Sequence, residues 1–78
     1  MSALKTLLNF ANTTRGLEHL RTIRTLRDYV KESTEDELIN EIRKIDDFRL
    51  LRILIEVGIS ATLQAEVLKR YDQLKARG

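Results

Sequence analysis

The residues of this chain that could do chemistry are arginines that recur at a fixed spacing. Arg24 and Arg27 stand three residues apart, and the same pair returns 25 positions later as Arg49 and Arg52. Guanidinium groups donate paired N–H bonds to phosphate oxygens, so a row of them favours sequence-independent, salt-sensitive binding of DNA or RNA. The predicted anion or nucleic-acid face consists of Arg21, Arg24, Arg27, Lys31, Arg49 and Arg52.

A structural role for the same arginines is the alternative interpretation. Each guanidinium could pair with a nearby Asp or remain solvated at the surface. Base stacking would also need aromatic side chains among the basic ones, and the sequence does not interleave them. The aromatic residues are Phe10, Tyr29, Phe48 and Tyr71. Both interpretations of the arginines stay open at this point.

The arginine spacing belongs to a longer internal repeat. Residues 24–45 align without gaps to residues 49–70, with six identities in 22 positions. Composition alone would give about two. The identical pairs are Arg24/Arg49, Leu26/Leu51, Arg27/Arg52, Leu38/Leu63, Glu41/Glu66 and Lys44/Lys69. A period of this length is typical of helical repeats, whose stacked units act as binding surfaces.

Catalytic and metal-binding patterns are missing from the sequence. The chain has one histidine, His19, which we expect at the surface, and no cysteine to serve as a nucleophile or ligand. The acids of residues 35–47 lack the loop spacing and glycine of a calcium site, and helix capping and solvation account for them. We therefore expect no enzymatic activity, no catalytic residue, no cofactor, no metal and no small-molecule substrate.

Length, composition and charge indicate one small helical domain. The chain has 78 residues, no proline and only three glycines, too few residues to enclose a large active site. Without cysteines or a long apolar run, a cytoplasmic location without membrane contact is expected, and Met1-Ser2 is typical of a natural start. Residues 1–31 carry a net charge of +4 and residues 32–78 a net charge of −2. This asymmetry predicts a dipole that could orient a charged partner or a second copy, unless it is only a solvated surface of mixed charge.

Hydrophobic spacing predicts five helices that position these side chains. They divide the single domain, 1–78, into a capping helix in residues 1–16, a first hairpin in residues 17–46 and a second in residues 47–78. The fold class is thus a compact all-α five-helix bundle, built from two repeated antiparallel helical hairpins plus the N-terminal capping helix. The second helix is predicted to bury Leu17, Leu20, Ile23, Leu26 and Val30.

Capping residues predict the helix boundaries. Thr34, with a glutamate three residues later, begins the third helix. Asp46 or Asp47 caps the fourth helix. Gly58 is suited to a left-handed helix end, and Ser60 to the cap of the fifth helix.

The last two helices carry the most apolar surface. The fourth helix is apolar around most of its circumference, so we expect it in the middle of the bundle with Phe48 in the core. Part of a seam on the fifth helix is expected to stay uncovered and to form a partner interface. This predicted interface consists of Leu63, Val67, Tyr71 and Leu74. The alternative is that the fourth helix covers the seam.

Two resemblances follow from these motifs. Arg-x-Leu-Arg in one helix, Leu-x-x-Glu-(Ile/Val) in the next and an Asp before the following unit resemble short HEAT-like repeats of α-solenoid proteins, over residues 24–72. That resemblance implies hairpins that scaffold protein or nucleic-acid binding, with Arg49 or Arg52 contacting Asp46 or Asp47. The segment 53–63 resembles, less fully, the turn of a helix-turn-helix DNA reader.

The sequence thus predicts a non-catalytic protein–protein interaction or self-association module of HEAT-like type. Its partner would be another protein or its own copy, as a homodimer. The alternative is a small basic nucleic-acid-binding protein that uses the arginine-lined face. Salt separates the two, because phosphate binding weakens steeply with salt and apolar association does not.

Overall fold

Five α-helices make up the computed structural model, which describes residues 3–77. They are α1 (Ala3–Thr13), α2 (Gly16–Glu32), α3 (Glu35–Ile42), α4 (Phe48–Val57) and α5 (Ala61–Arg77). No strand occurs in the described part of the chain, and the Cα radius of gyration is 11.8 Å. The predicted compact all-α class is confirmed, while Met1-Ser2 and Gly78 lie outside the described residues.

Side-chain caps begin three of the helices where the sequence predicts them. The Thr34 hydroxyl accepts the Glu37 N–H at 3.2 Å and starts α3. An Asp47 carboxylate oxygen accepts the Arg49 N–H at 2.9 Å and starts α4. The Ser60 hydroxyl accepts the N–H of residue 63 at 3.3 Å at the start of α5. Each bond satisfies a backbone donor that the first helical turn leaves unpaired.

Gly58 ends α4 with a φ of 86°. This region disfavours residues that carry a Cβ, which is why glycine suits the position. Its N–H donates to the Ile55 carbonyl at 3.2 Å and closes the last turn. The predicted end of the fourth helix at Gly58 is confirmed with a positive φ, although its ψ of 95° lies outside the left-handed helical region, and the short turn that follows brings α5 back against α4.

The fourth helix lies at the centre of the bundle. It packs on α1, α2 and α5, and α1 also packs on α2. The buried residues of α4 are Leu50, Leu51, Ile53, Leu54 and Val57. This arrangement follows from its composition, because a helix that is apolar on most sides needs several neighbours to cover it.

The α2 and α3 helices do not form the close hairpin that the sequence predicts. The extensive contacts of α2 are with α1 and α4, whereas α3 packs mainly on α5. A hydrogen bond from the Tyr29 hydroxyl to the Glu41 carboxylate, at 3.2 Å, joins α2 to α3. Of the two predicted hairpins, only α4–α5 is a closely packed pair, so the repeat is not confirmed in the helix packing.

The third helix is fastened to α5 by two arginines. Arg70 on α5 donates from Nε to the Ile45 carbonyl, just after α3, at 2.7 Å. Arg43 lies 3.3 Å from the Glu66 carboxylate. The carbonyl contact satisfies a backbone acceptor beyond the helix end, so Arg70 contributes packing as well as charge.

The predicted buried seam of α2 is wrong at its N-terminal end. Leu17 and Leu20 are 75% and 62% exposed, whereas Ile23 and Leu26 are buried. An α-helix turns about 100° per residue, so each step of three residues falls about 60° short of a full turn. Leu17 and Leu26 are three such steps apart, so they lie on opposite sides of α2. Thr22, which the predicted seam omits, is buried on the same side as Ile23 and Leu26.

Candidate functional site

An apolar groove of about 270 Å³ lies between α4 and α5. We call it the α4–α5 groove. The residues that line it are Leu51, Arg52, Ile55, Val67, Leu68 and Tyr71. Leu51 and Val67 are fully buried and form its floor, while Leu68 is 60% exposed at its edge. The only charged residue of the lining is Arg52. The groove is therefore an apolar recess with an exposed leucine at its edge.

Phe48 extends the exposed apolar surface at Tyr71. The two rings meet edge to face, with centroids 4.8 Å apart and planes at 62°. This geometry is favourable for aromatic pairs and fixes both rings. The prediction that Phe48 belongs to the core is wrong, since it remains partly exposed together with Ile55. These two residues lie about two helical turns apart on one side of α4.

The predicted partner interface on α5 needs correction at three of its four residues. Leu63, Val67 and Leu74 are buried inside the chain, because α5 turns this seam toward α3 and α4. Tyr71 alone keeps substantial exposure. The predicted interface omits Leu68, which is exposed on a neighbouring side of α5.

The predicted basic face is distributed over several environments. Arg21, Arg24 and Lys31 are exposed on α2, and no ion pair engages them within residues 3–77. Arg27 instead donates from Nε to the Val57 carbonyl at 3.1 Å, at the end of α4. Arg52 lies in the α4–α5 groove. Four of the six basic residues therefore lie on α2, where only Arg21, Arg24 and Lys31 lack a described partner, and the other two lie on α4.

Arg49 forms a two-point ion pair with Asp47 at the start of α4. Nε and Nη2 of Arg49 lie 3.2 and 3.0 Å from the two carboxylate oxygens. The Arg49 hydrogen bonds lower the pKa of Asp47, and the carboxylate raises the pKa of Arg49. This contact agrees with the predicted Arg–Asp pairing, and it also occupies the guanidinium that a phosphate would need.

His19 joins three helices, contrary to its expected surface role. Nδ1 lies 2.9 Å from the Ala11 carbonyl of α1, and Nε2 lies 3.0 Å from Glu56 Oε1 of α4. The hydrogen bond to Glu56, followed by the one to the Ala11 carbonyl, raises the pKa of His19. The sequence gives no signal for the contact, because Glu56 is 37 residues away.

The outer face of α2 combines exposed leucines with cations that form no ion pair among residues 3–77. This face consists of Leu17, Leu20, Arg21, Arg24, Asp28 and Lys31, all exposed. Beside it, Phe10 of α1 is 53% exposed and lines a groove of about 330 Å³ together with Arg21. Leucines and arginines thus share the side of α2 that faces away from the core.

Other kinds of site find no support in the described residues. Within residues 3–77 no three His, Asp or Glu side chains are grouped so that they could hold a metal ion. None of the helices described combines the length and apolar character that crossing a bilayer requires.

Comparisons with protein-family models, with curated proteins and with solved structures give no match to this chain. No relative therefore assigns a function to the α4–α5 groove or to the outer face of α2.

Proposed function

We propose that this protein is a non-catalytic interaction module that pairs with a second copy of itself through the α4–α5 groove. The observation that carries the proposal is a cluster of large apolar side chains left exposed around one recess. These are Phe48, Ile55, Leu68 and Tyr71. Contiguous apolar surface of this kind marks protein interfaces, because water is released when a partner covers it.

The shape of the patch supports a second copy as the partner. Leu68 is exposed at the edge of a recess whose floor is formed by Leu51 and Val67, so it is free to contact another molecule. In a twofold pair the same patch is used by both molecules, so each copy supplies one protrusion and one recess. Leu68 of each molecule then enters the groove of the other, and no further protein is needed to fill it.

Two residues of opposite charge near the groove could pair across the proposed twofold dimer. Arg52 lies on the α4 side, and Asp72 follows Leu68 by one turn on the exposed side of α5. Neither residue takes part in an ion pair within the described chain. When α4 of one copy lies against α5 of the other, Arg52 faces the partner's Asp72. The twofold axis repeats this pair, giving two ion pairs at the rim.

The helical-repeat interpretation is compatible with this proposal but is not required by it. Helical repeats bind through the surfaces of packed helix pairs, and α4 and α5 are such a pair. The resemblance of residues 24–72 to HEAT-like repeats, with α1 as a capping helix, stays a prediction.

Nucleic-acid binding is the weaker alternative. Arg27 is held at the Val57 carbonyl and Arg49 by Asp47. These two residues therefore interrupt the row of cations that would follow a phosphate backbone. Arg52 adds one charge to an otherwise apolar groove.

Sedimentation equilibrium over a range of concentrations tests the proposal. The wild type is expected to associate to a dimer, and Leu68→Lys to stay monomeric because a charge would enter the apolar groove. Leu17→Lys makes the same change at an exposed leucine of α2 and is expected to dimerise like the wild type. High salt should leave the association intact or strengthen it.

Two outcomes would overturn the proposal. One is a wild type that remains monomeric up to about millimolar concentration, where binding worth about 4 kcal/mol would be visible. The other is a Leu68→Lys variant that dimerises as strongly as the wild type. Circular dichroism of each variant should show unchanged helix content, since both leucines are exposed.

A further inference from the structure

The outer face of α2 is a second surface that does not share a residue with the α4–α5 groove. Leu17 and Leu20 are the two most exposed large apolar side chains of the described chain. They stand at the N-terminal end of a 17-residue helix, about 25 Å long. Since Leu17 and Leu20 face away from the packing of α2 on α1 and α4, the chain itself leaves them uncovered.

Cations surround these leucines on the same side of the helix. Arg21 follows Leu17 by one turn, and Arg24 follows Leu20 by one turn. Lys31 continues the row, and none of the three is in an ion pair within residues 3–77. The face therefore presents two apolar side chains, each with a guanidinium one turn away.

Acidic residues are sparse around this face. Asp28 is its only acid, and Glu18 lies on the neighbouring side, in the groove between α1 and α2. Glu32 is the last residue of α2, six further acids lie in residues 35–47 beyond that helix, and α3 packs on α5 rather than on α2. Arg21 and Arg24 thus lie next to the exposed leucines, whereas Asp28 and Glu32 lie toward the C-terminal end of α2.

We propose that the outer face of α2 binds the surface of an anionic lipid bilayer. In this arrangement α2 lies parallel to the membrane plane. Leu17 and Leu20 reach the boundary between headgroups and acyl chains, while Arg21, Arg24 and Lys31 contact lipid phosphates. Long basic side chains can extend to the headgroups while their stems cover apolar surface. Phe10, which shares the α1–α2 groove with Arg21, adds a third apolar side chain.

The leucines decide between a lipid surface and a nucleic acid. A phosphate backbone would use the cations but leave Leu17 and Leu20 in water. A bilayer uses both, because its interface offers anionic headgroups next to apolar chains. The sequence alone predicts no membrane contact because it has no long apolar run, and its helical spacing assigns Leu17 and Leu20 to the core, so this surface becomes visible only in the structure.

Co-sedimentation with lipid vesicles tests the inference on the full chain. Vesicles of phosphatidylcholine with about one-third phosphatidylserine are expected to bind the protein at low salt, and pure phosphatidylcholine vesicles to bind it far less. The double variant Leu17→Ser/Leu20→Ser should lose about tenfold or more in partitioning. Arg21→Gln/Arg24→Gln should lose about 30-fold, since each cation near the surface contributes about a factor of five.

A matched control comes from α5. Lys69→Gln/Lys75→Gln removes two exposed cations that lie outside both the outer face of α2 and the lining of the α4–α5 groove. This control should bind the vesicles nearly as the wild type does. Thermal unfolding of all variants should be close to that of the wild type, because every substituted side chain is exposed.

Three results would overturn the inference. The first is no binding to the phosphatidylserine vesicles at low salt. The second is equal binding by Leu17→Ser/Leu20→Ser and the wild type. The third is duplex DNA binding that exceeds vesicle binding and depends on Arg21 and Arg24 but not on the leucines, which would assign the face to nucleic acid. None of these results bears on dimerisation, which is measured without lipid and through Leu68.

Discussion

His19 Nε2 lies 3.0 Å from Glu56 Oε1 and so joins the second helix to the C-terminal end of the fourth. The other ring nitrogen faces the Ala11 carbonyl at 2.9 Å. A carbonyl and a carboxylate oxygen can only accept, so both ring nitrogens must donate to satisfy the two contacts. Only the protonated imidazolium does this, and the raised pKa of His19 agrees with that form.

The pH dependence of stability should therefore change when His19 is replaced. Because the folded pKa of His19 is raised above 6.5, its contribution is fully present below that pH and is lost as the pH rises through the folded pKa. Urea unfolding should show the wild type losing more stability than His19→Gln between about pH 5.5 and pH 8. An identical loss in both proteins would show that His19 does not stabilise the fold in its charged form.

Removing the cap of α4 should weaken the fold measurably. Asp47→Ala loses the bond to the Arg49 N–H and should lower the free energy of unfolding by about 1 kcal/mol. Arg49→Gln keeps that cap but removes the exposed ion pair, and should cost clearly less than Asp47→Ala because water and salt screen exposed charges. Denaturant titration compares the two. Equal losses would mean that the ion pair, rather than the cap, is the stabilising contact.

Neighbouring residues of α4 should differ sharply in their tolerance to truncation. Leu54 is fully buried, so Leu54→Ala should cost about 2–5 kcal/mol of unfolding free energy. Ile55, the next residue, is exposed at the groove, and Ile55→Ala should cost less than about 1 kcal/mol in the monomer. Urea titration at low protein concentration measures both. A loss below about 1 kcal/mol for Leu54→Ala would contradict the central position of α4.

Charge exchange at the groove should reveal the geometry of the proposed dimer. Arg52→Glu and Asp72→Arg each place like charges opposite one another, so each should weaken dimerisation several-fold. The double variant restores opposite charges and should recover most of the wild-type association. Sedimentation equilibrium at low salt measures all four proteins. Losses that simply add in the double variant would show that Arg52 and Asp72 do not meet across the twofold axis.

Local signals in the sequence were sufficient for the helix boundaries. The caps at Thr34, Asp47 and Ser60 depend on backbone groups two or three residues away, so their residue types decide the geometry. Gly58 follows the same rule, because its positive φ is a property of a single residue.

The errors arose where side chains depend on position around a helix or on distant segments. Steps of three residues predict that Leu17 and Leu20 share the buried side of α2 with Leu26. Each such step rotates the position by about 60° around the helix, so the prediction is wrong for both leucines. Their exposure could have been predicted from the angle between Leu17 and Leu26. The contact between His19 and Glu56 could not, since it depends on how α2 crosses the end of α4.

Because α3 packs on α5 rather than on α2, the order in which the helices are synthesised decides when α3 can fold. The first helices can begin to pair as they are made, since α1 contacts α2. The third helix has only eight residues, too few to be stable alone in water. It must wait until residues 61–77 have been synthesised. Stable docking of α3 is thus expected only after α5 has been made, and a chain that ends before α5 should reveal this by the sensitivity of residues 35–42 to protease.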